Sequence, residues 1–175
     1  MGSEMCIRDR INAAPLAAAL PAGTQKTGTA DGSLQDKLKE ASILLVEDNL
    51  VNHKVAMAML KKAGFNQVDH AENGAKALAA VQVKRYDLIL MDCQMPVMDG
   101  YEATRNIRQL EDAYFQQLPI LALTAHTMKG DDEKCYMAGM NDYLSKPVRI
   151  DELSAKVEKW LSAQLTTIER FHSVS

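Results

Sequence analysis

From Ser42 onward, short unbroken apolar runs alternate with longer stretches in which apolar positions recur every three or four residues. Ile43-Leu44-Leu45-Val46, Leu88-Ile89-Leu90-Met91 and Ile120-Leu121-Ala122-Leu123 are of strand length, and a run that is apolar on both faces predicts a strand covered on both sides. Val68 to Ala71 is a weaker strand candidate, and Asp142 to Leu144 a short one. The intervening segments read as helices. The first carries Val51, Val55, Met59 and Leu60 on one side and Lys54, Lys61 and Lys62 on the other, and closes at Gly64. Gly74 to Val83 is the second, about Tyr101 to Leu110 the third, and Asp131 to Ala138, stopped by Gly139, the fourth. Asp151 opens a fifth, with Leu153, Val157, Trp160 and Leu161 on its apolar side.

Five strand–helix units in series predict an α/β fold with a parallel sheet wound on both faces through right-handed crossovers. At five strands the expected architecture is the flavodoxin-like doubly wound sheet, (βα)5, in strand order 2-1-3-4-5. Its ligand site lies beyond the carboxyl ends of strands one and three.

The first forty residues differ in composition. Ile11 to Ser33 is Ala, Gly, Thr and Pro with little periodicity, which predicts a flexible, disordered linker over 1–40, within which Leu34 to Glu40 could start a short helix. Met5-Cys6-Ile7-Arg8-Asp9-Arg10 resembles the translation of a transposon end used in sequencing-library preparation, which implies a non-native start. Arg8 and Arg10 before Ala13 to Leu20 do not make a secretory signal, because the stretch is short, contains Pro15 and follows Asp9. The expected body is 41–165, with 166–175 a short C-terminal tail.

Charge narrows the function classes. The chain has 20 Lys+Arg against 23 Asp+Glu, and the first forty residues contribute five of each sign, so the excess of acid belongs to the body. With only 5% aromatic residues, neither a basic surface nor a stacking platform for nucleic acid is present, and no direct nucleic-acid partner is expected. Cys6, Cys93 and Cys135 are too few and too scattered for a disulfide framework or a paired-cysteine zinc site. No apolar run reaches the roughly 20 residues of a membrane span. The expected setting is a reducing, cytoplasmic one.

The residues that follow the strands carry the chemistry. Glu47 and Asp48 follow the first strand, Asp92 the third, Thr124 the fourth and Lys146 the fifth. In a doubly wound sheet these converge on one edge. Crowded carboxylates repel one another unless a cation joins them, and a site of few oxygen ligands with room for water and phosphate oxygens suits Mg2+ better than Zn2+. A lysine and a hydroxyl across the site can hold the oxygens of a phosphoryl group.

Four strings in that order resemble the receiver domain of two-component signalling, above all one attached to a hybrid sensor histidine kinase: Leu45-Val46-Glu47-Asp48-Asn49, Met91 through Glu102 (MDCQMPVMDGYE), Leu123-Thr124-Ala125-His126, and Asp142 through Pro147 (DYLSKP). The resemblance implies that Asp92 is the phosphoacceptor, attacking the phosphorus of a phosphohistidine on a partner. It implies side-chain ligation of Mg2+ by Asp48 and Asp92, with Glu47 acting through a bound water and the backbone carbonyl of Gln94 adding an oxygen. Lys146 would pair with Asp92 and then with the phosphoryl oxygens. Thr124 and Tyr143 would switch the face formed by the fourth helix, the fifth strand and the fifth helix, His126, after Thr124 and Ala125, would either influence how fast the acyl phosphate meets water or be a plain surface loop residue, and Lys146-Pro147 would be cis. The implied partners are a histidine kinase domain or a histidine phosphotransfer domain, on a parent chain that could itself be a membrane-anchored hybrid kinase. The domain would be a regulatory phosphoacceptor that promotes its own phosphorylation, not an enzyme acting on other molecules.

Two other classes stand beside this one. A phosphate-independent pseudo-receiver would bind partners only, which the intact set Glu47, Asp48, Asp92, Thr124 and Lys146 speaks against. An Mg-dependent phosphohydrolase of the haloacid dehalogenase type also uses an aspartate after a strand, but it needs a second aspartate two residues on, where this chain has Gln94. Singly, each residue has a plainer reading: Glu47 and Asp48 as strand-end charges, Asp92 as a cap, Cys93 as a packed thiol, His53 and His70 as structural or solvated, and Asp131-Asp132-Glu133 as acids favoured by a helix dipole.

Overall fold

The structure, a computed structural model, describes residues 30–125 and 130–172. In chain order the elements are α1 (Ala30–Lys39), β1 (Ser42–Val46), α2 (Leu50–Lys62), β2 (Gln67–Ala71), α3 (Gly74–Val83), β3 (Leu88–Asp92), α4 (Gly100–Arg108), α5 (Ala113–Gln117), β4 (Ile120–Thr124), α6 (Asp131–Ala138), β5 (Asp142–Ser145) and α7 (Ile150–His172). The sheet is parallel with strand order β2-β1-β3-β4-β5, as the sequence pattern predicts.

The pleat explains why continuous apolar runs were needed. Successive strand side chains point to opposite faces, and both faces are covered. Leu44 and Val46 of β1, Ile89 and Met91 of β3, and Ile120 and Ala122 of β4 form one core with Ala77 and Val81 of α3, Ala103 and Ile107 of α4, and Cys135 of α6. Their alternates Ile43, Leu45, Leu88, Leu90, Leu121 and Leu123 form the other core with Ala56 and Leu60 of α2 and Leu153, Val157 and Leu161 of α7. Each fully buried branched side chain contributes about 1.5–3 kcal/mol of transfer free energy, so the central strands β1, β3 and β4 are the fixed frame of the molecule.

Helix starts follow local chemistry. Asn49 caps α2 by accepting from the Val51 and Asn52 amides, Asn73 caps α3 through the Lys76 amide, and Asp99 caps α4 through the Glu102 amide. Asp112 likewise starts α5, a five-residue helix that the pattern did not predict because it is too short to show a period.

Two boundaries differ from expectation. The expected tail from residue 166 is helical, because α7 continues to His172. Leu165 adds to the apolar stripe packed on the second core, no Gly or Pro interrupts 162–172, and the Thr166 and Thr167 hydroxyls donate to the carbonyls of Ser162 and Ala163 at 2.9 Å. At the other end the compact unit begins at Leu34, inside the stretch expected as linker. Leu38 of α1 and Ala41 are buried in the second core, so burial of two apolar side chains outweighs the linker-like composition just upstream. Residues 1–29, including the Met5–Arg10 string, lie outside the described residues. Among the described residues no helix is long and apolar enough to cross a membrane.

Candidate functional site

The site forms where β1, β3, β4 and β5 end. Glu47 is still tied to the sheet, its amide donating to the Ala71 carbonyl at 3.1 Å. Asn49 then caps α2 two residues later. This abrupt turn leaves Glu47 buried, at 2% exposure, and Asp48 exposed. Asp92, the last residue of β3, is 4% exposed. Its backbone is held closely from the far side: the Gly100 amide donates to the Cys93 carbonyl at 3.2 Å, and a Cβ on Gly100 would lie 2.2 Å from the Asp92 carbonyl oxygen. Between them, Val97 has φ 72, and the Met98 amide donates to the Pro96 carbonyl at 2.8 Å, a tight turn over an exposed valine.

Lys146 enters from β5. Its amide donates to the Thr124 carbonyl at 2.7 Å, its peptide bond to Pro147 is cis, and its Nζ sits 2.8 Å from Glu47 Oε2 and 3.0 Å from Asp92 Oδ2. One ammonium therefore bridges two buried carboxylates. Burial works against the charge on Lys146, but the hydrogen bonds to Glu47 and Asp92 carry its pKa above the ordinary lysine value. Burial pushes Asp92 up to about 6, with Glu47 adding repulsion, against the opposing pull of Lys146 and of the Gln94 amide, which donates to Asp92 Oδ1 at 3.1 Å. By charge alone, one ammonium faces three carboxylates, so the cluster keeps an excess of negative charge.

Glu47, Asp48 and Asp92 each place a carboxylate oxygen so that all three lie within 4.8 Å of one another. An all-oxygen donor set with excess negative charge and one exposed member is a fit for a hard divalent cation. Thr124, 5% exposed, ends β4 beside this cluster, paired in register with Ser145.

The remaining expected residues are more dispersed. Gln94 is exposed and acts on Asp92 through its amide. Tyr143 is half-buried in β5, against the first core, with the Tyr136 ring edge-on at 6.5 Å between centroids and Lys156 Nζ 4.9 Å from its own ring centre. Ala125 and Pro147 are exposed, and His126 lies outside the described residues. Cys93 is buried and its thiol is pushed up to about 12 by burial, which removes it as a nucleophile. His53 and His70 stack with ring centroids 3.7 Å apart, and His70 Nε2 donates to the Glu47 carbonyl at 2.8 Å. Trp160 packs against the second core and donates through Nε1 to Asp142 at 3.1 Å.

Sequence reasoning quoted Asn49 and Gly100 only as members of matching strings, with no role for either, and passed over Asn52. The Asn49 amide and Asn52 Nδ2 donate to Glu47 Oε1 at 3.3 and 3.2 Å. A signal for Asn52 existed: helical side chains tilt toward the N-terminus, so a polar residue in the first turn after a capping Asn49 faces back toward the end of β1.

Fold and site together define a class, a doubly wound α/β domain with an acidic, cation-compatible cleft at the strand ends. Residues 43–158 match the family described as response regulator receiver domain, and the chain belongs to that family. Hybrid signal transduction histidine kinase B of Dictyostelium discoideum is 43% identical over 144 residues, 77% of this chain and 7% of that protein. Two-component system protein A of Emericella nidulans is 46% identical over 120 residues, 67% of this chain and 17% of that protein. The chain thus spans between 7% and 17% of the length of these two curated relatives. The receiver domain of sensor histidine kinase PA1611 from Pseudomonas aeruginosa PAO1, a crystal structure with a magnesium ion coordinated in the active site cleft, has a TM-score of 0.64 at 48% identity over 70% of this chain and 98% of that one. The receiver domain of Ssk1 from Saccharomyces cerevisiae, in a co-crystal with the histidine phosphotransfer protein Ypd1, has a TM-score of 0.64 at 33% identity, covering 71% of this chain and 91% of that one.

Proposed function

We propose that Asp92 accepts a phosphoryl group from a phosphohistidine on a histidine kinase or histidine phosphotransfer partner, and that the acquired charge alters the face made by α6, β5 and α7. The observation that carries this is Lys146 Nζ bridging the buried Asp92 and Glu47 carboxylates with Asp48 open beside them. Asp48 and Asp92 would hold Mg2+ directly, with Glu47 and the Gln94 carbonyl assisting. When bound, the ion supplies charge neutralisation for the transferring phosphoryl oxygens.

This chain's own residues do the rest. An Asp92 oxygen attacks phosphorus, the N–P bond of the donor breaks as the O–P bond of an acyl phosphate forms, and the imidazole leaves with its electron pair and takes up a proton. Lys146 is already 3.0 Å from Asp92, so it transfers its contact to the new phosphoryl oxygens while keeping Glu47. The Thr124 hydroxyl receives one of those oxygens and draws in the loop that follows. Tyr143 turns into the space this opens, a two-state change driven by an added charge. The partner class is supported by the Ssk1 receiver seated with its phosphotransfer protein, and the kinase-rich set of relatives supports a parent hybrid kinase. Two buried cysteines with free thiols support a reducing, cytoplasmic setting.

The test is incubation with acetyl phosphate or phosphoramidate and Mg2+, followed by intact-mass measurement. One phosphoryl adduct is expected, absent in Asp92→Ala and without metal. Continuous release of phosphate from diverse esters would instead support the hydrolase, and no adduct in the wild type would leave a pseudo-receiver.

A further inference from the structure

Glu47 is almost sealed from solvent, so the direction of each of its oxygens is set by the donors it meets. Those donors divide the carboxylate in two. Oε2 faces Lys146 Nζ at 2.8 Å, whereas Oε1 faces away from the lysine and takes the Asn49 amide at 3.3 Å and Asn52 Nδ2 at 3.2 Å. The Asn49 donor is backbone and fixed by the start of α2. Asn52 is a side chain on the exposed first turn of α2, and nothing in the reaction proposed above requires it.

We infer that Asn52 is a positioning residue: it holds Oε1 of Glu47 so that Oε2 stays on Lys146 and in the acidic cluster. The terminal torsion of a glutamate is broad and nearly two-fold, so a carboxylate held at one oxygen by a single long amide contact can turn. With Asn52 in place, Lys146 is suspended between Glu47 and Asp92 at 2.8 and 3.0 Å and can move toward an incoming phosphoryl group without giving up Glu47. Without it, Lys146 settles on Asp92, the very group that must stay available to a cation and to phosphorus. The inference rests on the phosphoacceptor reading and deepens it. It concerns a side chain that touches neither the phosphorus nor the proposed ligand oxygens of Asp48 and Asp92.

Asn52→Leu keeps the shape of the side chain and removes the donor. Removing a group that orients a metal ligand commonly lowers metal affinity or activity 10- to 100-fold. Because Asn52 is an exposed residue whose amide contact is only part-buried, water can partly replace it and the low end applies, so the Kd for MgCl2 measured by calorimetry should rise about ten-fold. The rate of adduct formation at subsaturating Mg2+ should fall in parallel. The melting temperature in chelator should stay within a few degrees of wild type, which separates positioning from mere folding support. If Asn52 acts through Glu47, the same substitution in a Glu47→Gln background should change the Kd less than two-fold.

A wild-type Kd retained by Asn52→Leu within two-fold overturns the inference while leaving the phosphoacceptor reading intact. An equal loss in the Glu47→Gln background, or a large drop in melting temperature in chelator, overturns it as well. A wild-type protein that binds no Mg2+ and forms no adduct removes the reading on which it stands, and the inference with it.

Discussion

Gly100 is where α4 is driven against the end of β3, and adding one methyl there reports how tightly the strand that ends at Asp92 is held. A Cβ at Gly100 would sit 2.2 Å from the Asp92 carbonyl oxygen, 2.9 Å from Met91 Cγ and 3.0 Å from the Asp92 carbonyl carbon. The nearest neighbour is backbone, which cannot rotate away as a side-chain tip can. Restoring even a 3.0 Å separation means parting β3 and α4 by about 0.8 Å, and overpacking of this kind costs about 1–3 kcal/mol. The alanine recovers less than about 1 kcal/mol through the unfolded chain, so Gly100→Ala should destabilise the domain by about 2 kcal/mol. For a domain of this size that is a melting temperature lower by about 5–10 °C in differential scanning fluorimetry with chelator.

The displacement falls on Asp92, the proposed phosphoacceptor. A misplacement approaching 1 Å can slow an oriented reaction about 100-fold, so the adduct-formation rate with acetyl phosphate at saturating Mg2+ should fall by about 10- to 100-fold at a temperature where the variant is fully folded. A melting temperature within 2 °C of wild type together with an unchanged rate would show that the joint opens without resistance, and would refute the claim that a close Gly100 approach fixes Asp92.

The charged groups of the domain give three further expected outcomes. Burial raises the Asp92 pKa to about 6, against about 3.9 when unfolded, so the native state holds this proton more tightly. Its ionised form therefore penalises folding in full above about pH 7, and the penalty fades as pH falls towards 4. Asp92→Asn in chelator should be the more stable protein at pH 8, by at most about 3 kcal/mol, and should lose that advantage near pH 4, as measured by urea denaturation across pH. Lys146→Met strands the Glu47 and Asp92 carboxylates at 2% and 4% exposure, so it should cost about 3 kcal/mol in chelator, the low end for a broken buried pair because Lys146 itself is 20% exposed, and Mg2+ should raise its melting temperature more than it raises that of wild type. Arg108 donates to three neutral acceptors, the Gly139 carbonyl at 2.9 Å, Asn141 Oδ1 at 2.8 Å and the Phe115 carbonyl, and burial lowers its pKa to about 10. Arg108→Met leaves these acceptors short of a donor and should lower unfolding free energy by about 2–4 kcal/mol; Arg108→Lys should recover less than half, because an ammonium cannot span the three directions of the guanidinium fork.

Much of the fold was legible because its determinants are local or periodic. The runs at Ile43, Leu88 and Ile120 could only be central strands, and Gly64 and Gly139 mark helix ends where positive φ is required. The convergence of the strand-end residues was legible for a related reason. In a parallel sheet the residues just past the strands are brought to one edge whatever fills the helices, so Glu47, Asp48, Asp92, Thr124 and Lys146 could be named from order alone. What escaped were features with no period to read: the five residues of α5, the burial of Leu38, the continuation of α7 beyond residue 165, and the second helix-side donor to Glu47.

The sequence by itself determined which residues meet, because strand order and strand ends follow from alternation and topology. Only the tertiary structure decided how the charges are shared among them. That Lys146 bridges two carboxylates, that Asn52 occupies the far oxygen of Glu47, and that Gly100 leaves no room for a methyl against Asp92 are matters of separations near 3 Å between residues as many as 99 positions apart. Electrostatic and steric energies change steeply over such distances, while the hydrophobic pattern that sets the fold is indifferent to them.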